Sequence, residues 1–231
     1  MIWDPMYLVF IAPALLLGLW AQLRIEINYA VAQQMPAPLS GAGAARHILD
    51  SAGLNDVGIE MVPGHLSDHY DPRDKVLRLS EEVYQSRTLA AVGIAAHEAG
   101  HALQDARAYA PLALRNAAVP LAGFGSNTGL LMAAFGAIMG VSWLLLAGII
   151  AFAAVVVFQV VNLPVEFNAS SRAKAVLVEL GIISPEELHY VSKVLSAAAL
   201  TYVAATLQAI FTLLYYLFLF RRMRDDRDRS Y

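Results

Sequence analysis

At 231 residues, with 58% hydrophobic side chains, 15% charged ones and a mean hydropathy of +0.54, the chain has the balance of a mainly α integral membrane protein. It contains no cysteine, which excludes disulfides and thiolate metal sites. A net charge of −3 with thinly spread bases leaves no basic stripe, so no nucleic-acid partner is expected.

Residues 6–23 are an uncharged apolar run of bilayer-spanning length and read as transmembrane helix 1. The competing reading is a cleaved signal peptide. That would want a basic segment ahead of the run, where the only charge is Asp4. From residue 24 to about 118 the composition turns polar and mixed, which marks a water-facing segment. Pro36, Pro38, Ser40 and Gly41 make a linker and a helix start. Ala45, Ile48 and Leu49 then recur at helical spacing until Gly53. His47 on this helix has no ligand partner nearby and reads as an ordinary histidine. Val57–Val62 and 76–79 alternate as strands, forming a hairpin or two neighbouring strands, with a turn-rich interval between them. That interval contains His69 and Tyr70, which can serve a substrate site or simply shape the turn. An edge strand beside a metal could also pair with an extended peptide.

Residues 88–105 read as a helix, capped by Ser86 or Thr88, that carries His97, Glu98 and His101 in the order H-E-x-x-H. Two histidines one turn apart share a face, so two imidazole nitrogens can reach one metal ion, and this donor set suits zinc. Glu98 follows the first histidine directly and can project to the open side of the metal as a proton acceptor. Two histidines four apart also occur by chance on buried helices. Here, however, the surrounding Ala95, Ala96, Ala99 and Gly100 would leave those polar groups buried without partners.

Between Arg115 and Glu166 lie fifty residues without a charge. As a single helix they would be about 75 Å long, against a hydrocarbon core of about 30 Å. The segment 119–163 therefore reads as a two-helix hairpin, roughly 120–139 and 143–163, turning near Gly140. The polar stretch Gly125-Ser126-Asn127-Thr128 should face protein or the interface. Pro164 suits a helix start, which puts Glu166 in the first turn of an emerging helix, within a segment 164–197 that forms the second part of the catalytic domain. Glu166 there is either a third metal ligand or an acidic residue favoured by the helix dipole. Ser184-Pro185-Glu186-Glu187 is a capping box that opens a helix from 185, and His189 on it reads as structural. Residues 198–220 form the last span, followed by a charged tail over 221–231.

If His97, His101 and Glu166 bind one ion, they must lie on the same side of the membrane. The number of crossings between them is then even, and the uncharged segment supplies two. Hydropathy and ligand geometry thus agree on Glu166.

The motifs at 67–73 (Ser-Asp-His-Tyr-Asp-Pro-Arg), 77–80 (Leu-Arg-Leu-Ser), 95–104 (Ala-Ala-His-Glu-Ala-Gly-His-Ala-Leu-Gln) and 163–170 (Leu-Pro-Val-Glu-Phe-Asn-Ala-Ser) resemble those of the YugP-type neutral zinc metallopeptidases. The resemblance covers nearly the whole chain. It implies a membrane-integral endopeptidase with one Zn²⁺ per chain, a polypeptide substrate, and about four transmembrane helices carrying a small α+β zincin-like catalytic domain over 24–118 and 164–197. The layout is also similar to HtpX-type membrane peptidases, which carry an acidic residue where this chain has Ser170. Asn168 or Asp68 is then expected to orient a ligand histidine.

On this reading His97, His101 and Glu166 hold the metal, and Glu98 is the general base for a zinc-activated water. His69, Tyr70 or Arg172 would supply the second donor to the oxyanion. The rival reading is a non-catalytic membrane scaffold or adaptor with a structural or vestigial zinc site. The expected location is a bacterial-type inner membrane. Arg24 follows the first span and no base precedes it, which favours a cytoplasmic catalytic side. A homo-oligomer or a membrane-protein partner is left open.

Overall fold

The computed structural model describes residues 5–65 and 67–228, so Asp4 and the last residues of the tail lie outside the described part. The chain is mostly helical: α1 (Pro5–Gln33), α2 (Gly41–Ser51), β1 (Gly58–Val62), β2 (His69–Asp71), β3 (Val76–Ser80), α3 (Glu81–Gln85), α4 (Leu89–Ala106), α5 (Ala110–Phe124), a π-helical turn (Gly125–Gly129), α6 (Leu130–Met139), α7 (Ser142–Glu179) and α8 (Leu188–Asp228). Four helical stretches are long and apolar enough to cross a membrane: Pro5–Gln33, Ala110–Met139, Ser142–Glu179 and Leu188–Asp226. The chain divides into two compact units. One contains the residues up to Trp20, Leu114–Leu163 and those from Thr201 on; the other contains Ala21–Ala113 and Pro164–Leu200.

In the first unit, α6 and α7 meet through small residues. A Cβ on Gly136 would lie 2.3 Å from the Leu145 nitrogen, and one on Gly148 would lie 2.2 Å from the Ala133 nitrogen. Such backbone-to-backbone contact is how helices associate where apolar burial drives nothing. The turn between them is closed by Gly140 at φ +70°, a left-handed helix end suited to glycine. In the polar stretch 125–128 only Gly125 packs inward. Ser126 and Asn127 instead stay exposed and donate to the Gly123 carbonyl at 3.1 Å each, which satisfies their polar atoms locally.

The second unit is built around α4, whose small residues let α2, α3, α7 and α8 close over it in one apolar core. Ser40 caps α2 by accepting from the Gly43 amide at 3.1 Å, and Thr88 caps α4 by accepting from Ala91 at 3.3 Å. The sheet order is β1-β3-β2. β1 pairs with β3 in parallel, Gly58 opposite Val76, so the two expected strands are neighbours and not a hairpin. Parallel strands need a crossover, and the interval read as turn supplies it. That interval contains β2, which pairs antiparallel to β3 with Tyr70 opposite Leu77.

Two helix boundaries differ from expectation. The helix does not restart at Pro164, because α7 runs through it. Proline removes one backbone hydrogen bond, but its φ is helical. Immediately beyond it, Val165, Ala169, Ala173 and Leu177 form a fully buried stripe at intervals of four that holds the helix together. At the start of α8 the capping box forms as expected: the Ser184 amide donates to Glu187 Oε2 at 2.7 Å, and the Glu187 amide to Ser184 Oγ at 3.2 Å. Residues 185–187 are nevertheless turns, and the α-helix begins at Leu188.

Candidate metal centre

His97, Glu98 and His101 lie in the middle of α4, with the two imidazole centroids 4.8 Å apart. Their Nε2 atoms converge on one oxygen of α7. Glu166 Oε2 lies 3.3 Å from His97 Nε2 and 3.6 Å from His101 Nε2. One donor atom from each of the three residues falls within 4.8 Å of the others, the spacing of ligands around a single ion. Glu166 Oε2 is buried and makes no hydrogen bond. An orphaned carboxylate oxygen facing two ring nitrogens fits a cation between them, and two imidazoles with a carboxylate are a donor set that zinc accepts. Burial works against a charge on His101, but the Glu166 and Glu98 carboxylates outweigh it and hold the imidazole pKa above its ordinary value. The same anionic surroundings favour a bound metal.

The far side of each ring is also held. His97 Nδ1 lies 3.1 Å from Ser170 Oγ, and His101 Nδ1 lies 3.0 Å from Gln104 Oε1. Gln104 is fully buried, and its Nε2 donates to the Val165 carbonyl at 2.8 Å and to Asn168 Oδ1 at 3.0 Å. Ser170 and Gln104, rather than the expected Asn168 or Asp68, meet the two ring Nδ1 atoms. Asp68 instead accepts from the amide of Ser80 at 2.8 Å, which fixes the entry to β2. Asn168 stands two residues from both Glu166 and Ser170 on α7 and reaches Gln104.

β2 runs beside the site as an edge strand. The Tyr70 amide donates to Glu98 Oε2 at 3.1 Å, and its phenol donates to Asp105 Oδ2 at 2.9 Å. Burial, reinforced by Asp105, pushes that phenol well above its ordinary pKa. His69 is exposed, with Nδ1 2.8 Å from the Ser67 carbonyl. Arg172 donates through Nε to Asn168 Oδ1 at 2.7 Å and lies 6.0 Å from the Tyr109 ring centroid.

The family described as "Putative neutral zinc metallopeptidase" matches residues 7–221. The chain belongs to this family. It is also 46% identical over 224 residues to the "Putative membrane protease YugP" of Bacillus subtilis (strain 168), covering 96% of this chain and all of that protein. No solved structure matches it.

Around the candidate site, the motifs alone leave Gln104 and Asp105 without a role. Both sit at helical spacing from the motif, at i+3 and i+4 from His101, which is the signal that could have found them. Ser170 was legible only as the absence of an acid, yet its hydroxyl occupies the position beside His97.

Proposed function

We propose that the chain is a membrane-integral zinc endopeptidase in which His97, His101 and Glu166 hold one Zn²⁺ and Glu98 is the general base. The observation that carries this reading is the orphaned, buried Oε2 of Glu166 facing both histidine Nε2 atoms. Zinc bound there supplies Lewis-acid polarisation of the scissile carbonyl and acidifies the attacking water. The Tyr70 amide holds Glu98 Oε2, so Oε1 is the oxygen left to take the water's proton and pass it to the leaving amine. The peptide lies extended along the free edge of β2, its main chain paired with that strand. His69 and Arg172 are the candidates for a second oxyanion donor, while Tyr70 can serve only if its phenol leaves Asp105.

A scaffold with structural zinc would normally close the ion with four protein ligands. Among the described residues the group contains three. Metal analysis of detergent-purified protein, with a quenched-peptide assay, tests the proposal. Wild type should carry one zinc and cleave, and Glu166→Ala should lose both; a zinc-free wild type would refute it.

The four apolar helices support residence in a membrane; the setting we propose is a bacterial-type inner membrane with the catalytic side cytoplasmic, on the strength of Arg24 directly after the first span. The last span then delivers the C-terminus to the other side, so a C-terminal alkaline phosphatase fusion should be active. An inactive phosphatase with a fluorescent cytoplasmic reporter would reverse the orientation.

A further inference from the structure

We propose that Gln104 is a positioning residue that locks His101 in its Nδ1–H tautomer, so that Nε2 faces the metal as a bare lone pair. The inference rests on the metal-binding reading of His97, His101 and Glu166. A chain of hydrogen bonds runs from Arg172 to His101, and chemistry dictates the polarity of each.

The chain begins at Arg172, whose guanidinium can only donate. The Asn168 atom 2.7 Å from Arg172 Nε must therefore be the amide oxygen. That oxygen and the Val165 carbonyl, both acceptors, face the same atom of Gln104 at 3.0 and 2.8 Å, so that atom must be the amide nitrogen. Gln104 then has only its oxygen left for His101, at 3.0 Å from Nδ1. An amide oxygen only accepts, so Nδ1 carries the hydrogen. No hydrogen position or amide flip has to be assumed.

The consequence appears on the other side of the ring. A neutral imidazole with hydrogen on Nδ1 has none on Nε2. His101 Nε2 lies 3.6 Å from Glu166 Oε2, which makes no hydrogen bond. Two lone pairs facing each other at that distance are satisfied together by a cation. Free imidazole prefers the opposite tautomer, so without Gln104 the ring would present an N–H to the ion and would have to switch before binding. His97 lacks this constraint, because the Ser170 hydroxyl 3.1 Å from its Nδ1 can donate or accept. Of the two histidines, only His101 is committed in advance.

The test uses the full chain in detergent. Histidine ¹⁵N spectra of the zinc-free wild type at alkaline pH, where the ring is neutral, with His101 assigned by its loss in His101→Gln, should show the Nδ1–H form; an Nε2–H signal there would overturn the proposal. Gln104→Leu should move His101 to the Nε2–H form and weaken zinc affinity by roughly 10–100-fold in a chelator competition. Gln104→Glu keeps an oxygen that accepts from His101 Nδ1 in either protonation state, so relative to Gln104→Leu it should restore the Nδ1–H form. A Gln104→Leu protein that keeps the Nδ1–H form and wild-type affinity would overturn the proposal. If Gln104→Leu does not fold, the wild-type spectrum still decides. The two readings fail separately: wild type without zinc affinity but with Nδ1–H His101 refutes the metal site, whereas zinc binding with Nε2–H His101 refutes the role of Gln104.

Discussion

Gly100 lies against the carbonyl of Ala169, where a Cβ on residue 100 would sit 2.7 Å from the oxygen. His97 and His101 flank this point on α4, and Glu166 and Ser170 flank it on α7, so the approach of the two helices sets the spacing of the proposed metal donors. Gly100→Ala gains about 1 kcal/mol of helix propensity. Against that, it drives a methyl into backbone that cannot rotate away, and overpacking costs about 1–3 kcal/mol. The clash should win. The variant is expected to unfold at lower temperature and to lose zinc although every donor remains. Unchanged metal content on mass spectrometry would show that the close approach is dispensable.

Glu98 stands beside the proposed metal donors, held by the Tyr70 amide at 3.1 Å, and is not among the group that could share an ion. Glu98→Gln keeps the shape and an acceptor for that amide but cannot take a proton. Zinc content should stay at the wild-type level while kcat falls by roughly 10²–10⁴, the usual worth of a positioned base. Cleavage at the wild-type rate would remove Glu98 from the chemistry.

The Tyr70–Asp105 hydrogen bond ties β2 to the end of α4, and Tyr70→Phe should cost about 1 kcal/mol. Its pH dependence has a definite sign. The folded phenol is held above its ordinary 10.0 by burial and by Asp105, so its contribution is complete below that pH and fades as pH rises past it. Denaturation of wild type and variant across neutral to strongly alkaline pH should show a constant gap that closes only at the alkaline end. A gap that varies near neutrality would assign the effect to another group.

Arg78 on the central strand reaches both neighbours, contacting Asp71 of β2 at 2.7 Å and Glu60 of β1 at 3.3 Å. The Asp71 carboxyl is held below its ordinary 3.8 first by the Arg73 amide and then by Arg78. A lowered carboxyl pKa stabilises the fold above the ordinary value, and that stabilisation is lost as pH falls through the folded one. Arg78→Gln should therefore denature at a higher pH than wild type on acidification, with the difference vanishing in strong acid. Identical acid transitions would show that the backbone amides alone hold Asp71.

The sequence by itself determined the parts that depend on local period and composition. The apolar runs, the H-E-x-x-H face, the caps at Ser40 and Thr88 and the turn at Gly140 are each set by residues within a few positions of one another. Even Glu166 was accessible as a candidate, because counting membrane crossings is a property of the linear chain, and the fold brings it beside both histidines. Only the tertiary structure decided what depends on packing between distant segments. Parallel pairing of β1 with β3 required β2 to occupy the far side, and strand alternation looks the same in either direction. The passage of α7 through Pro164 was decided by the buried stripe beyond it, which outweighs one missing hydrogen bond. The groups behind the proposed metal donors, Ser170 and Gln104, took their places from the α4–α7 contact at Gly100 and Ala169, since a serine or a glutamine has no function until its neighbours fix which way it points.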